Sequence, residues 1–146
     1  MKKCSCGFIL VDNQTGHWLL VHPPGKDVWD FPKGWAAQGE THLSAAVREL
    51  REETGVILSA AEVSNAHDFG QHPFTEEKDM RLYLARVSLN PAEMFCMSMV
   101  TNPSGPDYPE VDEFRLVPPA EVNSMLSARK QAWLNQWVWS HIGLPA

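Results

Sequence analysis

The chain has 146 residues, of which 44% are hydrophobic and 10% aromatic, and its formal net charge is −6. This length suffices for one sizeable hydrophobic core and predicts a single domain over residues 1–146. The acidic balance disfavours an electrostatic grip on a nucleic-acid backbone or on an anionic membrane, because both need a cationic face.

The cysteines and the apolar segments bear on the cellular location. Three cysteines without a paired framework favour a reducing compartment, so the cytoplasm is the expected location. Cys4-x-Cys6 has no second Cys/His pair at zinc-like spacing, and we interpret both as strand residues rather than metal ligands. No segment approaches the roughly 18 apolar residues of a membrane span, so we expect no membrane partner. The sequence leaves a monomer and a homodimer open.

The beginning of the chain predicts a hairpin followed by an edge segment. Residues 4–11 (CSCGFILV) and 17–22 (HWLLVH) are typical of strands joined by the turn sequence DNQTG. Residues 29–35 (WDFPKGW) contain a proline that excludes them from the centre of a sheet. We therefore expect them to form an edge or a lip. Trp29 and Phe31 could stack on a base there, or simply pack beneath the lip.

One helix is predicted over residues 41–54. Its apolar residues recur at helical spacing, Thr41 is a plausible N-cap and Gly55 a plausible end.

The remainder of the chain predicts strands followed by helices. The predicted strands are residues 61–71, 79–89 and 114–117, with residues 93–100 as a further candidate. The predicted helices are residues 118–127 and 129–142. In the second of these, one apolar face comprises Trp133, Leu134, Trp137, Val138 and Ile142. Together the elements predict an α/β (α+β) sandwich with a mixed sheet, a central acidic helix and C-terminal helices.

The helix at residues 41–54 gathers negative charge near its end. Glu49, Glu52 and Glu53 are three and four residues apart, so their side chains can reach one patch of space. Their repulsion costs a few tenths of a kcal/mol per pair, and a hard divalent cation such as Mg²⁺ would offset it. The alternative is a solvated helix face on which Arg48 pairs with Glu52.

A longer pattern surrounds these glutamates and resembles a known signature. Gly34, five residues, Glu40, seven residues and the run Arg48-Glu49-Leu50-Arg51-Glu52-Glu53-Thr54-Gly55-Val56 are similar to the Nudix box at each of its nine defined positions. The predicted elements on both sides resemble the rest of a Nudix domain. The resemblance therefore covers nearly the whole chain and implies a Nudix-type α/β/α sandwich with a central loop-helix-loop.

The resemblance implies a hydrolase that cleaves a nucleoside diphosphate linked to another moiety, using Mg²⁺ with Mn²⁺ as a substitute. The implied metal ligands are Glu49, Glu52, Glu53 and the carbonyl of Gly34. Arg48 would orient Glu49, and Glu40 would be an auxiliary acid near the metal or near Arg48.

The general base is less well defined by the resemblance, because either a box glutamate or a carboxylate from a later loop serves in different relatives. Glu110 lies where many relatives have that loop carboxylate, and Glu113 is its competitor. Many Nudix boxes also carry a glutamate where this sequence has Ala37, a difference that bears on the number of bound metal ions.

The substrate prediction comes from residues outside the box. The segment DFPKGW resembles the "PKG" variant of diadenosine polyphosphate hydrolases and, less closely, of RNA 5′-pyrophosphohydrolases, which implies a phosphate contact for Lys33. The later strand resembles one in which a lysine and a tyrosine face the substrate, and this makes Lys78 and Tyr83 candidates. The alternatives are a solvated lysine and a tyrosine on the other side of the sheet. His72 could touch the substrate but is more typical of a structural residue.

We therefore expect a nucleotide or dinucleotide substrate, most specifically a dinucleoside polyphosphate such as diadenosine tetraphosphate. An RNA 5′ end is a second candidate, against which the net charge counts. Oxidised nucleoside triphosphates are a third. A non-catalytic module that senses nucleotides is the alternative from another class.

Overall fold

A mixed β-sheet forms the centre of the fold in the computed structural model, which describes residues 2–143. The strands are β1 (Lys3–Asp12), β2 (Trp18–His22), β3 (Lys33–Trp35), β4 (His67–Pro73), β5 (Lys78–Val87), β6 (Met99–Val100), β7 (Tyr108–Pro109) and β8 (Glu113–Val117). The helices are α1 (His42–Thr54), α2 (Ala60–Ser64), α3 (Pro119–Met125), α4 (Ala128–Leu134) and α5 (Ser140–Ile142). A 3₁₀ turn spans Pro91–Glu93 and a π-helical turn spans Asn135–Trp139.

Strand β1 lies in the middle of the sheet, and two different strands pair with the two halves of one of its edges. The strand order is β4-β5-β1-β2-β8, with β1 and β5 parallel from Lys3↔Lys78 to Asp12↔Val87. On its other side β1 pairs with β2 at Val11, whereas its first half pairs with β3. The sheet therefore forks, and β3 carries the beginning of the signature away from β2 into the mouth of this fork.

Apolar side chains cover both faces of the sheet. One face packs against α1 through residues such as Phe8, Leu10 and Leu50, which are all fully buried. The opposite face packs against the C-terminal helices through residues such as Met80 and Leu134. Because neighbouring residues of a strand point to opposite faces, the long buried strands contribute side chains to both layers of the core. The predicted α/β/α sandwich is confirmed.

Helix α1 begins and ends where the sequence predicts. The side chain of Thr41 accepts a hydrogen bond of 3.1 Å from the backbone N–H of Ser44 and so caps the first turn. Gly55 adopts a left-handed conformation with φ 78°, and its N–H donates to the carbonyl of Arg51 at 2.8 Å. These two caps fix the length of the helix that carries the glutamates.

Two of the predicted strands are partly wrong. Within residues 61–71, the first four belong to α2, because Ser59 and Glu62 form a reciprocal capping box that begins a helix; the strand begins only at His67. Within residues 93–100 only Met99–Val100 is a strand. The preceding backbone instead bonds the end of α1, with the N–H of Met97 donating to the carbonyl of Glu52 at 2.7 Å.

The C-terminal helical region differs from the prediction at its end. Trp133, Leu134 and Val138 are buried as predicted and Trp137 is partly buried, but Ile142 remains 38% exposed. The π-helical turn at Asn135–Trp139 explains the difference, because its wider turn shifts the phase of the residues that follow. None of the helices within residues 2–143 is both long and apolar enough to cross a membrane.

Candidate active site

Arg48 is the centre of a hydrogen-bond network that holds three of the predicted carboxylates. Its Nε and Nη2 donate to the two carboxylate oxygens of Glu40 at 2.8 and 3.0 Å. Its Nη1 donates to Glu49 at 2.9 Å and to Glu52 at 3.1 Å. Nη2 also donates to the carbonyl of Trp35 at 3.0 Å, which ties α1 to β3. The Arg48–Glu52 pair of the solvated-face alternative exists, but it is one part of a larger network.

Glu40 is the carboxylate that Arg48 holds most firmly. The pKa of Glu40 is lowered to about 2, because it accepts two hydrogen bonds from Arg48 and a further one from the backbone N–H of Ala37. The same pairing raises the pKa of Arg48. The loop between Trp35 and Glu40 is thus fixed to the helix by a charged, two-point contact.

Gly34 lies directly beneath the carboxylate of Glu49. A Cβ atom at this position would be 2.2 Å from Cδ of Glu49. A Cβ there would force the Glu49 carboxylate to move, so the first glycine of the signature keeps this carboxylate in place by close packing rather than by an unusual backbone conformation. The contact also brings the backbone of β3 next to Glu49, as a shared ligand set for a metal needs.

Glu53 is the most buried of the three glutamates, with an exposed fraction of 4%. Burial, reinforced by the nearby charges of Glu49 and Glu110, raises its pKa to about 9. The pKa of Glu49 is also raised, chiefly by burial and despite the contact with Arg48. A negative charge at this place is therefore costly unless a cation is added to the group.

Glu110 and Lys33 lie in the walls of two cavities that adjoin these glutamates. One, of 130 Å³, contacts Glu53, and the other, of 230 Å³, contacts Gly34 and Glu49. Glu110 reaches the site from the loop between β7 and β8. The hydroxyl of Ser98, just before β6, donates to the carboxylate of Glu110 at 2.7 Å. The structure thus brings Glu110, predicted as the loop carboxylate, to the box glutamates.

Lys78 also lies in the wall of the cavity that contacts Glu49, and Trp35 lies beside it. The ammonium of Lys78 is 5.1 Å from the ring centre of Trp35 and 5.2 Å from that of Phe74. Burial and the charge of Lys33 lower the pKa of Lys78. Trp35 is 45% exposed and separates this cavity from a further one of 480 Å³. Trp35 is absent from the residues predicted for the site, although it directly follows Gly34 and is aromatic.

Lys33 is held by an ion-pair network that Asp30 forms with Lys33 and Lys130. The carboxylate of Asp30 lies 2.9 Å from Nζ of Lys130 and 3.4 Å from Nζ of Lys33. Although burial acts to raise it, the pKa of Asp30 is lowered by these two ammonium groups. Asp30 and Lys130 are also absent from the predicted site, because no local pattern in the sequence connects a residue before β3 to one in α4.

Several other candidates lie elsewhere. Tyr83 is buried on the face of β5 that α1 covers, with its ring 5.7 Å from that of Phe8, and the structure does not bring it to the glutamates or to Lys78. Period-two alternation explains this, since residues 78 and 83 point to opposite faces. Glu113 pairs with Arg115 at 3.0 Å and is half exposed. His72 stacks on Trp137 with ring centres 3.6 Å apart.

Trp29 and Phe31 are buried in the core, as the packing alternative predicts.

The residues present fit a hard divalent cation. The available donors are carboxylate oxygens of Glu49, Glu52 and Glu53 and the backbone of Gly34, and oxygen ligands of this kind suit Mg²⁺ or Mn²⁺. The raised pKa of Glu53 and the close approach of Gly34 to Glu49 both fit a site that binds a cation between these groups. Within residues 2–143 the three carboxylates do not all lie within 4.8 Å of one another.

Comparison with known proteins identifies the family. Residues 2–138 match the family model described as NUDIX domain. An uncharacterised 17.7 kDa protein of Enterobacteria phage T4 is 35% identical over 122 residues, which cover 80% of this chain and 74% of that protein. An RNA pyrophosphohydrolase of Halorhodospira halophila is 46% identical over 48 residues, which cover 33% of this chain and 26% of that protein. A solved C. elegans Ap4A hydrolase complex superposes with a TM-score of 0.68 at 17% identity, over 96% of this chain and 99% of that one.

The chain therefore belongs to the Nudix family and is a Nudix hydrolase, because the family model matches nearly all of it. The match to the Halorhodospira protein spans about a quarter of that protein's length. At 17% identity, the C. elegans structure shows a shared fold.

Proposed function

We propose that this Nudix hydrolase cleaves dinucleoside polyphosphates such as diadenosine tetraphosphate, with Mg²⁺ as its metal and Mn²⁺ as a substitute. The observation that carries the proposal is the arrangement of Lys33, Lys78 and Trp35 beside the glutamates. Two lysines line the cavity that also contacts Glu49. Beyond them, the exposed ring of Trp35 opens onto the cavity of 480 Å³.

This arrangement suits a substrate that extends past the cleaved pyrophosphate. A tetraphosphate chain carries several negative charges, and two ammonium groups in one cavity neutralise part of them. A nucleoside at the far end of the chain needs an aromatic surface for its base, which Trp35 provides. A nucleoside diphosphate joined to a small group would leave Trp35 and its cavity without a function.

In the proposed reaction, water attacks a phosphorus atom and a phosphoanhydride bond breaks. A metal ion held by Glu49, Glu52, Glu53 and Gly34 would supply positive charge to the phosphate oxygens and activate water. Glu110 is our candidate for the group that accepts the proton of the attacking water, because its carboxylate lines both cavities next to the box. Arg48 and Glu40 position Glu49 and Glu52 and do not contact the substrate in this scheme.

An RNA 5′ end is the second candidate substrate. The Halorhodospira relative is named an RNA pyrophosphohydrolase, and the exposed Trp35 would serve an RNA base equally well. The net charge of −6 opposes binding of a long phosphate backbone. Nucleoside triphosphates and a silent sensing module are weaker candidates, the latter because a module without turnover has no need for a buried carboxyl group whose ionisation is costly.

The experiment is Mg²⁺-dependent product release from diadenosine tetraphosphate, ADP-ribose, nucleoside triphosphates including an 8-oxo form, and triphosphorylated RNA. We expect a preference for diadenosine tetraphosphate. A preference for RNA would replace our proposal with the second candidate. Failure to hydrolyse any of them, with Mg²⁺ bound, would favour the sensing module.

Variants separate the roles of the cations. Lys33→Ala and Lys78→Ala should each raise the KM for the tetraphosphate by about tenfold, the value of one charge-assisted contact, and affect ADP-ribose less. Arg86→Ala is the matched control, since it removes an exposed cation near the other end of β5. Equal effects on both substrates would contradict a polyphosphate role for the two lysines.

The cellular location is also a proposal. The described cysteines Cys4, Cys6 and Cys96 are free thiols, which supports a reducing compartment such as the cytoplasm.

A further inference from the structure

A second group of metal-ligating side chains lies on the face of β1 opposite to Ser5, a residue that lines the proposed substrate cavity. Cys4 and Cys6 alternate along β1 and project to the face that α1 covers, while His42 is the first residue of α1. One ligand atom from each of the three residues lies within 4.8 Å of the other two. Among residues 2–143 this is the group of three His, Cys, Asp or Glu side chains that meets this distance.

We propose that Cys4, Cys6 and His42 bind a thiophilic metal ion, Zn²⁺, at a site separate from the carboxylates of the hydrolase centre. Two sulfurs and one imidazole nitrogen are a soft donor set that selects Zn²⁺ over Mg²⁺. The fourth position of a tetrahedral ion is left to solvent. The role of the ion is structural, because it ties the middle of the sheet to the first turn of the helix that carries the signature glutamates.

The separations suit this ion. Tetrahedral Zn²⁺ with sulfur at about 2.3 Å places its ligand atoms roughly 3.8 Å apart. The three ligand atoms lie within 4.8 Å of one another, and a small rotation of one cysteine side chain would bring them to the separation that Zn²⁺ needs. Because Cys4 and Cys6 belong to a strand that pairs on both sides, the backbone already holds two of the ligands in place.

The surroundings supply access and charge balance. Cys6 is fully buried and Cys4 nearly so, whereas His42 borders a cavity of 410 Å³ together with Asp68 and Arg81. This side is the entry path. Binding converts two thiols to thiolates and releases two protons to solvent, and the two negative charges offset those of the ion. The hydrogen bond between the two thiols lowers the pKa of Cys4, whereas the same contact and burial raise the pKa of Cys6, so the ion itself must supply the charge that makes Cys6 a thiolate.

Arg81 shows which ring nitrogen of His42 accepts a hydrogen bond. Its Nη1 lies 3.0 Å from Nδ1 of His42, and because a guanidinium only donates, Nδ1 is the acceptor and carries the lone pair that a metal ligand needs. The guanidinium also pairs with Asp68, with Nε 3.1 Å from its carboxylate. An ion that takes the Nδ1 lone pair therefore leaves Arg81 with a partner. The alternative for the whole group is ordinary core packing without any ion.

The test uses Co²⁺ as a spectroscopic probe of the full chain, stripped of metal under reducing conditions and kept in excess Mg²⁺ to occupy the carboxylates. We expect one Co²⁺ per chain with a thiolate-to-cobalt charge-transfer band, and displacement of Co²⁺ by Zn²⁺ should abolish that band. Cys4→Ser and Cys6→Ser should remove the band. Cys96→Ser is the matched control and should keep it, since Cys96 lies in another part of the chain.

Substitutions of the buried Cys4 and Cys6 can disturb folding, so His42→Ala is the second variant. His42 is partly exposed at the start of α1, and its replacement should leave the fold intact. It should weaken Co²⁺ binding by about tenfold or more, as even removal of an outer partner of a metal ligand costs 10–100-fold. It should also abolish any rise of the melting temperature with Zn²⁺. Absence of the band in the wild type, or an unchanged band in His42→Ala, would overturn the proposal. Neither readout depends on hydrolysis.

Discussion

Replacing Glu53 by glutamine should stabilise the metal-free protein while abolishing its turnover. Glu53 is 4% exposed, and its pKa is raised from 4.5 to about 9 by burial and by neighbouring carboxylates. In the absence of metal, the folded protein must therefore keep a proton on Glu53 at neutral pH that the unfolded chain has released. Glutamine is neutral at every pH and close to glutamate in volume, so the variant avoids this cost.

The magnitude follows from proton linkage. A raised carboxyl pKa destabilises the fold above pH 4.5, and the penalty grows until the pH reaches about 9. At pH 7, about 2.5 pH units above the unfolded pKa, the cost is about 3 kcal/mol at 1.36 kcal/mol per unit. We therefore expect Glu53→Gln to be more stable than the wild type by about 3 kcal/mol at pH 7, and the difference should vanish near pH 4.5.

Urea denaturation in a chelator, at several pH values between 4.5 and 8, measures the difference. Added Mg²⁺ should stabilise the wild type, because the ion binds only the folded state, and should stabilise Glu53→Gln much less. Glu76→Gln is a matched control in the turn between β4 and β5, where the same substitution removes the charge of an exposed side chain. A variant that is less stable than the wild type at pH 7, or a difference that does not change with pH, would refute the reasoning.

Three further substitutions test the geometry of the site and its helix. Arg48→Lys keeps the charge but cannot bond several carboxylates at once, so kcat should fall by about 10²-fold with the fold intact, and near wild-type turnover would contradict the positioning role. Gly34→Ala places a Cβ 2.2 Å from Glu49 and should weaken Mg²⁺ affinity, measured by calorimetry, by about 10–100-fold; unchanged affinity would remove Gly34 from the site. Gly55→Ala forces a side chain into φ 78° and towards the ring of Phe95, at 2.7 Å, so thermal denaturation should show a loss of about 1–3 kcal/mol, and an unchanged melting temperature would contradict this.

The sequence predicts α1 well because its signals are local. Thr41 and Gly55 are cap residues, and capping depends on hydrogen bonds within the helix and the residues beside it. A comparable signal was present for α2, since Ser59 and Glu62 have the spacing of a capping box, but the short apolar residues around them favoured a strand. The capping hydrogen bonds of Ser59 and Glu62 decide the structure there.

Contacts between distant segments explain what the sequence could not show. Asp30 meets Lys130 only because α4 packs against the face of the sheet beside β3. His42 meets Cys4 and Cys6 only because α1 crosses the start of β1, so a pair that looked unsupported by further ligands acquires a third one. Side-chain direction is a different case. The alternation of β5 already implies that Lys78 and Tyr83 face opposite ways, and the resemblance that placed both at the substrate did not take this into account.

The charges around Arg48 explain why the signature has an acid eight positions before the arginine. Arg48 donates two hydrogen bonds to Glu40 but only one each to Glu49 and Glu52. Accordingly the pKa of Glu40 is lowered to about 2, whereas burial keeps the pKa of Glu49 raised despite its contact with Arg48. Glu40 thus takes up most of the charge of the guanidinium and fixes its plane, so that Arg48 orients the helix carboxylates without neutralising them. A divalent cation would then replace the proton of Glu53 and give these carboxylates the positive charge that they lack.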